Sequence, residues 1–247
     1  MSGFWFALAF LTRLPTPSLD FSDRAAQARA LVFYPWVGVL IGGLLAVAHA
    51  AASALGLADL LRAALLLALW VWISGGLHLD GLADCADAWA GGHGDRERTL
   101  RILKDPAAGP MGVVAIGLVL LLKFAGLAVL PAEAWTWLWL LPALGRAAAV
   151  LLFLSTPYVR PGGLGEALSR APGAATRLSL ALLGALCLLP GLLGLVLLAV
   201  GLAIFLLWRR DCLRRLDGFT GDAAGSLIER VEVATLVAAG LWLGLGL

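Results

Sequence analysis

Charge is what this sequence has least of. Asp, Glu, Lys and Arg make up 14% of the 247 residues, where a soluble domain carries about 25%. In their place 61% of the chain is apolar, with a mean hydropathy of +0.94. That balance excludes a water-soluble domain and implies an all-α integral membrane protein whose main partner is the lipid bilayer. The net charge of +2 says little about partners, and no nucleic acid is expected among them. Cysteine is scarce too: Cys85, Cys187 and Cys212 form no C-x-x-C pair and no Cys/His cluster. Neither a zinc site nor a disulfide framework is suggested by that spacing. The opening stretch, MSGFWFALAFLTRLPTP, lacks a basic n-region and a small-x-small cleavage site. It reads as a retained interfacial segment covering residues 1–30, not as a signal peptide. No fixed-period repeat and no second domain is visible, so residues 1–247 form a single polytopic unit.

A membrane span needs about 20 apolar residues. Candidates lie near 31–53, 61–91, 111–130, 135–156, 177–189, 191–208 and 225–246, which makes seven. The stretch from Leu178 to Trp208 is too long for one crossing and is punctuated by Pro190-Gly191; one kinked helix there would reduce the count to six. Fourteen of the 18 basic residues fall in alternate loops: Arg13–Arg29 before the first span, Arg96–Lys104 after the second, Arg160–Arg177 after the fourth and Arg209–Arg215 after the sixth. By the positive-inside rule those loops and the N-terminus are cytoplasmic and the C-terminus is outside. The expected location is a bacterial-type cytoplasmic (inner) membrane with the site facing the cytoplasm. Gly38-x-x-x-Gly42 suits close helix packing within one chain or between chains, which leaves a homo-oligomer open.

Against this apolar background, HLDGLADCADAW at 78–89 carries three aspartates. At about 100° per residue, Asp80, Asp84 and Asp87 fall within about 60° of arc on one helix face. Three neighbouring carboxylates repel one another unless a cation holds them. Mg²⁺ suits the task, because it takes oxygen ligands and usually binds through a few carboxylates together with substrate phosphates. His78 projects about 160° from the stripe, so it is expected to touch substrate or to pack, not to ligate the same ion. Solvation at the interface is the bland alternative for any single aspartate, but it does not explain three on one stripe.

A second acidic group stands in LDGFTGDAAGSLIERVE, where Asp222, Ser226 and Glu229 share a face and Thr220 suits a helix cap. The loop RILKDPAAGPMG offers Lys104 and Asp105 ahead of a Pro-Gly-rich helix start. Such a loop presents a lysine and backbone N–H groups to phosphates, or is simply a turn. Lys123, Arg146 and Arg230 lie inside apolar segments, where a charge costs about 2.5–3.5 kcal/mol and marks either function or a paired partner. Arg230, one turn into the last span, can snorkel to the surface, whereas Arg146 needs an acid from another helix.

Together these pieces resemble the cobalamin synthase family. The matching segments are FLTRLPTP (10–17), FYPWVGVLIGGLLA (33–46), GGLHLDGLADCADAW (75–89), ILKDPAAGPMGVVAIGLVLLLKFAGL (102–127) and TGDAAGSLIERVE (220–232), in that family's order. The resemblance implies an adenosylcobinamide-GDP ribazoletransferase. Such an enzyme joins adenosylcobinamide-GDP to α-ribazole or its 5′-phosphate, releasing GMP, with Mg²⁺ as cofactor. On that reading Asp80, Asp84 and Asp87 hold metal, Asp80, Asp84 and Asp222 act in catalysis, and Arg13, His78, Lys104, Asp105, Arg146, Thr220 and Glu229 contact substrate. Two departures bear on the phosphate cradle: Pro106-Ala107 stand where the family often has Ser-Arg, and Asp217-Gly218 where it often has Gly-Gly.

Two other classes compete. CDP-alcohol phosphotransferases carry an arginine after a D-G-x2-A pattern, and here Asp84 follows Asp80-Gly81-Leu82-Ala83 instead. A cation-coupled transporter would place its acids near the midplane, reachable from both sides.

Overall fold

The computed structural model describes residues 2–161 and 164–244. Among them the chain is all helix, with one isolated bridge between Tyr158 and Phe219. The helices are α1 (Ser2–Leu11), α2 (Arg24–Ala54), α3 (Asp59–Ser74), α4 (Leu77–Gly91), α5 (Arg96–Ile102), α6 (Pro110–Ala128), α7 (Leu140–Ser155), α8 (Leu164–Leu168), α9 (Gly173–Leu186), α10 (Leu192–Leu216) and α11 (Gly221–Gly244). A 3₁₀ turn over Ala132–Thr136 precedes α7.

Three of these, α2, α6 and α10, are long and apolar enough to cross a membrane, and α3 with α4 makes a fourth candidate as a bent pair. The 61–91 stretch expected as one span is therefore two helices at 87°. The cause is Gly75-Gly76, which adopt φ of +67° and +74°. Glycine enters the left-handed region without the Cβ penalty, so two in succession end one helix and redirect the next. The 135–156 stretch is also shorter than expected. Its first residues form the 3₁₀ turn, and α7 has 16 residues, about 24 Å at 1.5 Å per residue against a hydrocarbon core of about 30 Å. Pro190-Gly191 does separate α9 from α10, with Gly191 at φ +64°.

α7 is the hub. Every residue from Leu140 to Val150 is buried, and the helix packs on α2, α11 and α10. Close approach to α2 depends on the small residues of the G-x-x-x-G step. A Cβ on Gly38 would lie 2.6 Å from the Ala143 Cα, and one on Gly42 would strike the Trp139 backbone. That step is thus filled from within the chain. α1 lies along α2 with Phe6, Ala7, Leu8 and Leu11 buried, so the first helix of the N-terminal segment packs on the helical core.

The basic residues after residue 208 are helical, because α10 runs on to Leu216. Arg209 donates to Ser155 O at 2.8 Å and Thr156 Oγ1 at 3.1 Å, and Arg215 donates to Trp89 O at 3.2 Å. Trp89 and Trp208 stack at 5.1 Å, tying α4 to α10. Arg230 lies more than two turns into α11, deeper than expected, with its guanidinium 4.2 Å over the Trp208 ring.

Candidate active site

Asp80 lies in the first turn of α4, one turn beyond the glycine break, so the bend sets where the acidic stripe begins. Asp80 is exposed, and Asp84 and Asp87 are half-buried. The same face meets the start of α11 because Gly81 has no side chain: a Cβ there would lie 2.7 Å from the Asp222 carbonyl oxygen. The two acidic segments, separated by about 140 residues of sequence, are thereby brought together. Asp84 experiences like charge from Asp80, Asp222 and Asp87 and opposite charge from Arg160.

The three stripe aspartates are not equivalent. Asp87 accepts from Gly109 N–H at 2.7 Å on Oδ2 and from Gly112 N–H at 3.0 Å on Oδ1. It satisfies orphan donors at the start of α6, whose Pro110 sits in the first turn. Asp80 and Asp84 have no such commitment to a helix end.

Asp222 receives Arg160 Nη1 at 3.0 Å and faces Thr220 Oγ1 at 3.4 Å. Thr220 also accepts from Ala223 N–H at 3.3 Å, so it caps α11 as expected. Arg160 is held there by the short pairing of two loops, Val159 N–H to Phe219 O at 3.0 Å and Phe219 N–H to Pro157 O at 2.9 Å. Burial raises the Tyr158 phenol above its usual range, so it stays neutral beside this pair. In the sequence Arg160 stands only as one of the loop charges, marked by its position between Pro157 and Pro161. Lys104, exposed at its tip, lines a small cavity of about 60 Å³ with Arg160 and Thr220. Asp105 closes a local turn by accepting Ala107 N–H at 3.0 Å. Arg13 is exposed at the α3–α4 break, donating to Gly75 O at 3.4 Å.

A second cavity, of about 140 Å³, lies beside the acids, bounded by Asp80, Asp222, His78, Tyr34, Phe10 and Phe153 among others. His78 is 3% exposed, with Nδ1 3.4 Å from Arg146 Nη2. Arg146 is fully buried and pairs with Glu232, the acid from another helix that its position demanded. Glu229 is buried as well and accepts from Lys123 Nζ at 2.8 Å; Lys123 also reaches Glu232 at 2.5 Å. Arg146 and Glu229 therefore sit in an interior charge network, which meets the cavity at His78.

Among the described residues, no three His, Cys, Asp or Glu side chains form a ready-made metal cage. Asp80, Asp84 and Asp222 offer carboxylate oxygens near the α4–α11 contact, the chemistry of a hard divalent cation that keeps waters and completes its shell with substrate phosphates. The arrangement thus offers acids for a cation and, alongside, Arg160 and Lys104 for phosphate.

A family model described as cobalamin-5-phosphate synthase matches residues 3–240. Among curated proteins, an adenosylcobinamide-GDP ribazoletransferase of Pseudomonas syringae pv. syringae (strain B728a) is 50% identical over 242 residues, covering 96% of this chain and 98% of that one. The protein of the same description from Stutzerimonas stutzeri (strain A1501) is 52% identical over 240 residues, covering 96% and 97%. That from Pseudomonas aeruginosa (strain PAO1) is 52% identical over 238 residues, covering 95% and 96%. No solved structure matches. With a family match over nearly the whole chain and relatives at half identity along its length, this chain belongs to the cobalamin-5-phosphate synthase family and is an enzyme of that family.

Proposed function

We propose that the chain is a Mg²⁺-dependent phosphotransferase that joins adenosylcobinamide-GDP to α-ribazole or its 5′-phosphate. The products are adenosylcobalamin or its 5′-phosphate, together with GMP. The observation that carries this reading is the meeting of the α4 acids with Asp222 and Arg160 across Gly81, with Lys104 beside them. Phosphoryl transfer asks a protein mainly for positioning and charge neutralisation. That cluster supplies both.

Asp80 and Asp84 would hold the cation, with Asp222 beside them and Asp87 anchoring α6. When bound, Mg²⁺ neutralises charge on the diphosphate and on the departing phosphate. Arg160 and Lys104, which line one small cavity, grip the diphosphate. Asp222 uses one guanidinium donor of Arg160, and the rest of its fork can meet phosphate oxygens. The acceptor's ribose hydroxyl attacks the phosphorus that carries cobinamide. A new P–O bond forms, the P–O bond to the GMP phosphate breaks, and GMP leaves. Asp222 takes the hydroxyl proton and passes it to water.

The chain lies in a bacterial-type inner membrane with this site on the cytoplasmic side, following the arginine distribution. The test is a turnover assay in lipid or detergent with adenosylcobinamide-GDP and α-ribazole, with and without Mg²⁺, following GMP and corrinoid product together. Stoichiometric, Mg²⁺-dependent appearance of both is expected. Turnover of CDP-alcohols in place of these substrates, or dissipation of a cation gradient, would overturn the reading.

A further inference from the structure

The cavity beside the acids contains two polar atoms that the chain leaves without partners. Tyr34 is 2% exposed and its hydroxyl makes no hydrogen bond with any described residue. His78 Nε2 is in the same condition, and both residues line the 140 Å³ cavity. Buried polar atoms are paired in the great majority of native structures, so an unpaired one calls for an explanation. A single water is not enough. A water occupies about 10–15 Å³ on this measure, roughly a tenth of the space. The remaining wall is apolar and partly aromatic, with Phe10, Leu11, Leu77, Phe153, Leu168 and Ile228. Phe10 stacks on Tyr34 with ring centroids 6.3 Å apart, and a further cavity of about 90 Å³ shares Phe10, Tyr34 and Leu168. The occupant these features fit is flat, largely apolar, and equipped with one hydrogen-bonding atom on its ring. It must also carry a polar part, because Asp80 and Asp222 belong to the same cavity wall.

We propose that this cavity is the seat of the acceptor's base, with the Tyr34 hydroxyl as its specificity contact. The inference rests on the transferase reading above. Ribazole carries a benzimidazole, two fused rings with one unsubstituted nitrogen once the other bears the sugar. That nitrogen accepts the hydrogen bond from Tyr34 Oη. The ribose then points toward Asp80 and Asp222, which brings its hydroxyl to the proton acceptor assigned above. His78 Nδ1 faces the Arg146 guanidinium, a donor, so Nε2 carries the hydrogen and donates to the sugar. Guanine, the other base in the reaction, presents a row of donors and acceptors on one edge and would find mostly hydrocarbon here. A corrin macrocycle is far larger than the cavity.

The wild-type enzyme provides the first test. α-Ribazole and its indole analogue, in which a C–H replaces the accepting nitrogen, are compared as acceptors. The indole riboside is expected to show a KM about tenfold higher, the magnitude of one lost hydrogen bond. Tyr34→Phe is expected to raise the KM for α-ribazole by a similar factor and to abolish the discrimination between the two ribosides. Its kcat and its KM for adenosylcobinamide-GDP should stay within twofold of wild type. Ala149→Leu, which narrows the same cavity from α7, should raise the acceptor KM alone, with melting temperature in detergent reporting on folding. Equal use of both ribosides by the wild type overturns the assignment even if a variant fails to fold. So does a Tyr34→Phe enzyme that still discriminates. Absence of product from any riboside is a different failure, since it removes the transferase reading and this inference with it.

Discussion

Asp87 and Asp84 share a helix face but their oxygens are held differently, and under the proposed function that difference divides their work. Each oxygen of Asp87 accepts a backbone N–H from the start of α6. Asp87→Ala leaves those donors unpaired and should cost about 1–2 kcal/mol of stability, read as a lower melting temperature, with the Mg²⁺ requirement unchanged. Asp84→Ala should melt near wild type and lose at least about 100-fold in kcat, the scale seen when a charge-stabilising group leaves an active site. A metal requirement weakened by Asp87→Ala but not by Asp84→Ala would reverse these assignments. The stripe itself was legible, because side-chain direction in a helix follows from spacing. Its division of labour was not, because Gly109 and Gly112 lie more than 20 residues away and their N–H groups carry no sequence signal. Arg160 was hidden for the same reason. It reaches Asp222 only because Val159 and Phe219 pair across two loops. Arg160→Ala should therefore raise the KM for adenosylcobinamide-GDP about tenfold or more, with Arg160→Lys recovering part of the loss as a point charge without the fork. An unchanged KM would remove Arg160 from the phosphate grip.

At the scale of elements, apolar length was a good guide to where helices lie and a poor guide to where they turn. Pro190-Gly191 announced the α9–α10 break, but Gly75-Gly76 lay within an apolar run and was read through. Only the positive φ of both glycines makes the 87° bend, and that bend directs the α4 acids toward α11. Nothing crowds a Cβ at Gly76, so strain alone opposes a substitution there. Gly76→Ala should cost about 1–2 kcal/mol from the left-handed conformation. Turnover should fall further than the melting temperature suggests, because a relaxed bend misplaces Asp80. The G-x-x-x-G step is settled differently. A Cβ at Gly38 would lie 2.6 Å from both the Ala143 Cα and the Pro142 carbonyl, backbone atoms that have little room to yield. Gly38→Leu should destabilise the chain by about 1–3 kcal/mol through overpacking and leave any oligomeric state, measured by light scattering, as it was. A shift in association without loss of stability would show the step to be an interface between chains.

Over the whole molecule, the costliest feature is the charge cluster inside the helical core. Two cations, Lys123 and Arg146, meet two acids, Glu229 and Glu232, and all four are buried on α6, α7 and α11. Lys123 also lies 4.4 Å from the centre of the Trp70 ring on α3, so the cluster touches a fourth helix. The sequence indicated that Arg146 needed an acidic partner, but could not indicate which, because α7 and α11 meet only in the folded chain. The four charges cancel, and a buried charge left without its partner costs about 3–5 kcal/mol. The sign of the imbalance can be set by mutation. Lys123→Met leaves one cation with two acids, and Glu229→Gln leaves two cations with one acid. Combining them keeps the Arg146–Glu232 pair and restores neutrality. Each single variant should melt well below wild type. The double variant should be more stable than the two losses predict when added, with a coupling of about 0.5–3 kcal/mol. Turnover is the second measurement. If the network only locks α6, α7 and α11 together, the double variant regains activity along with its stability. If Glu229 instead contacts substrate, stability returns while the KM for one substrate stays raised, and the cluster must then be assigned to the active site as well as to the core.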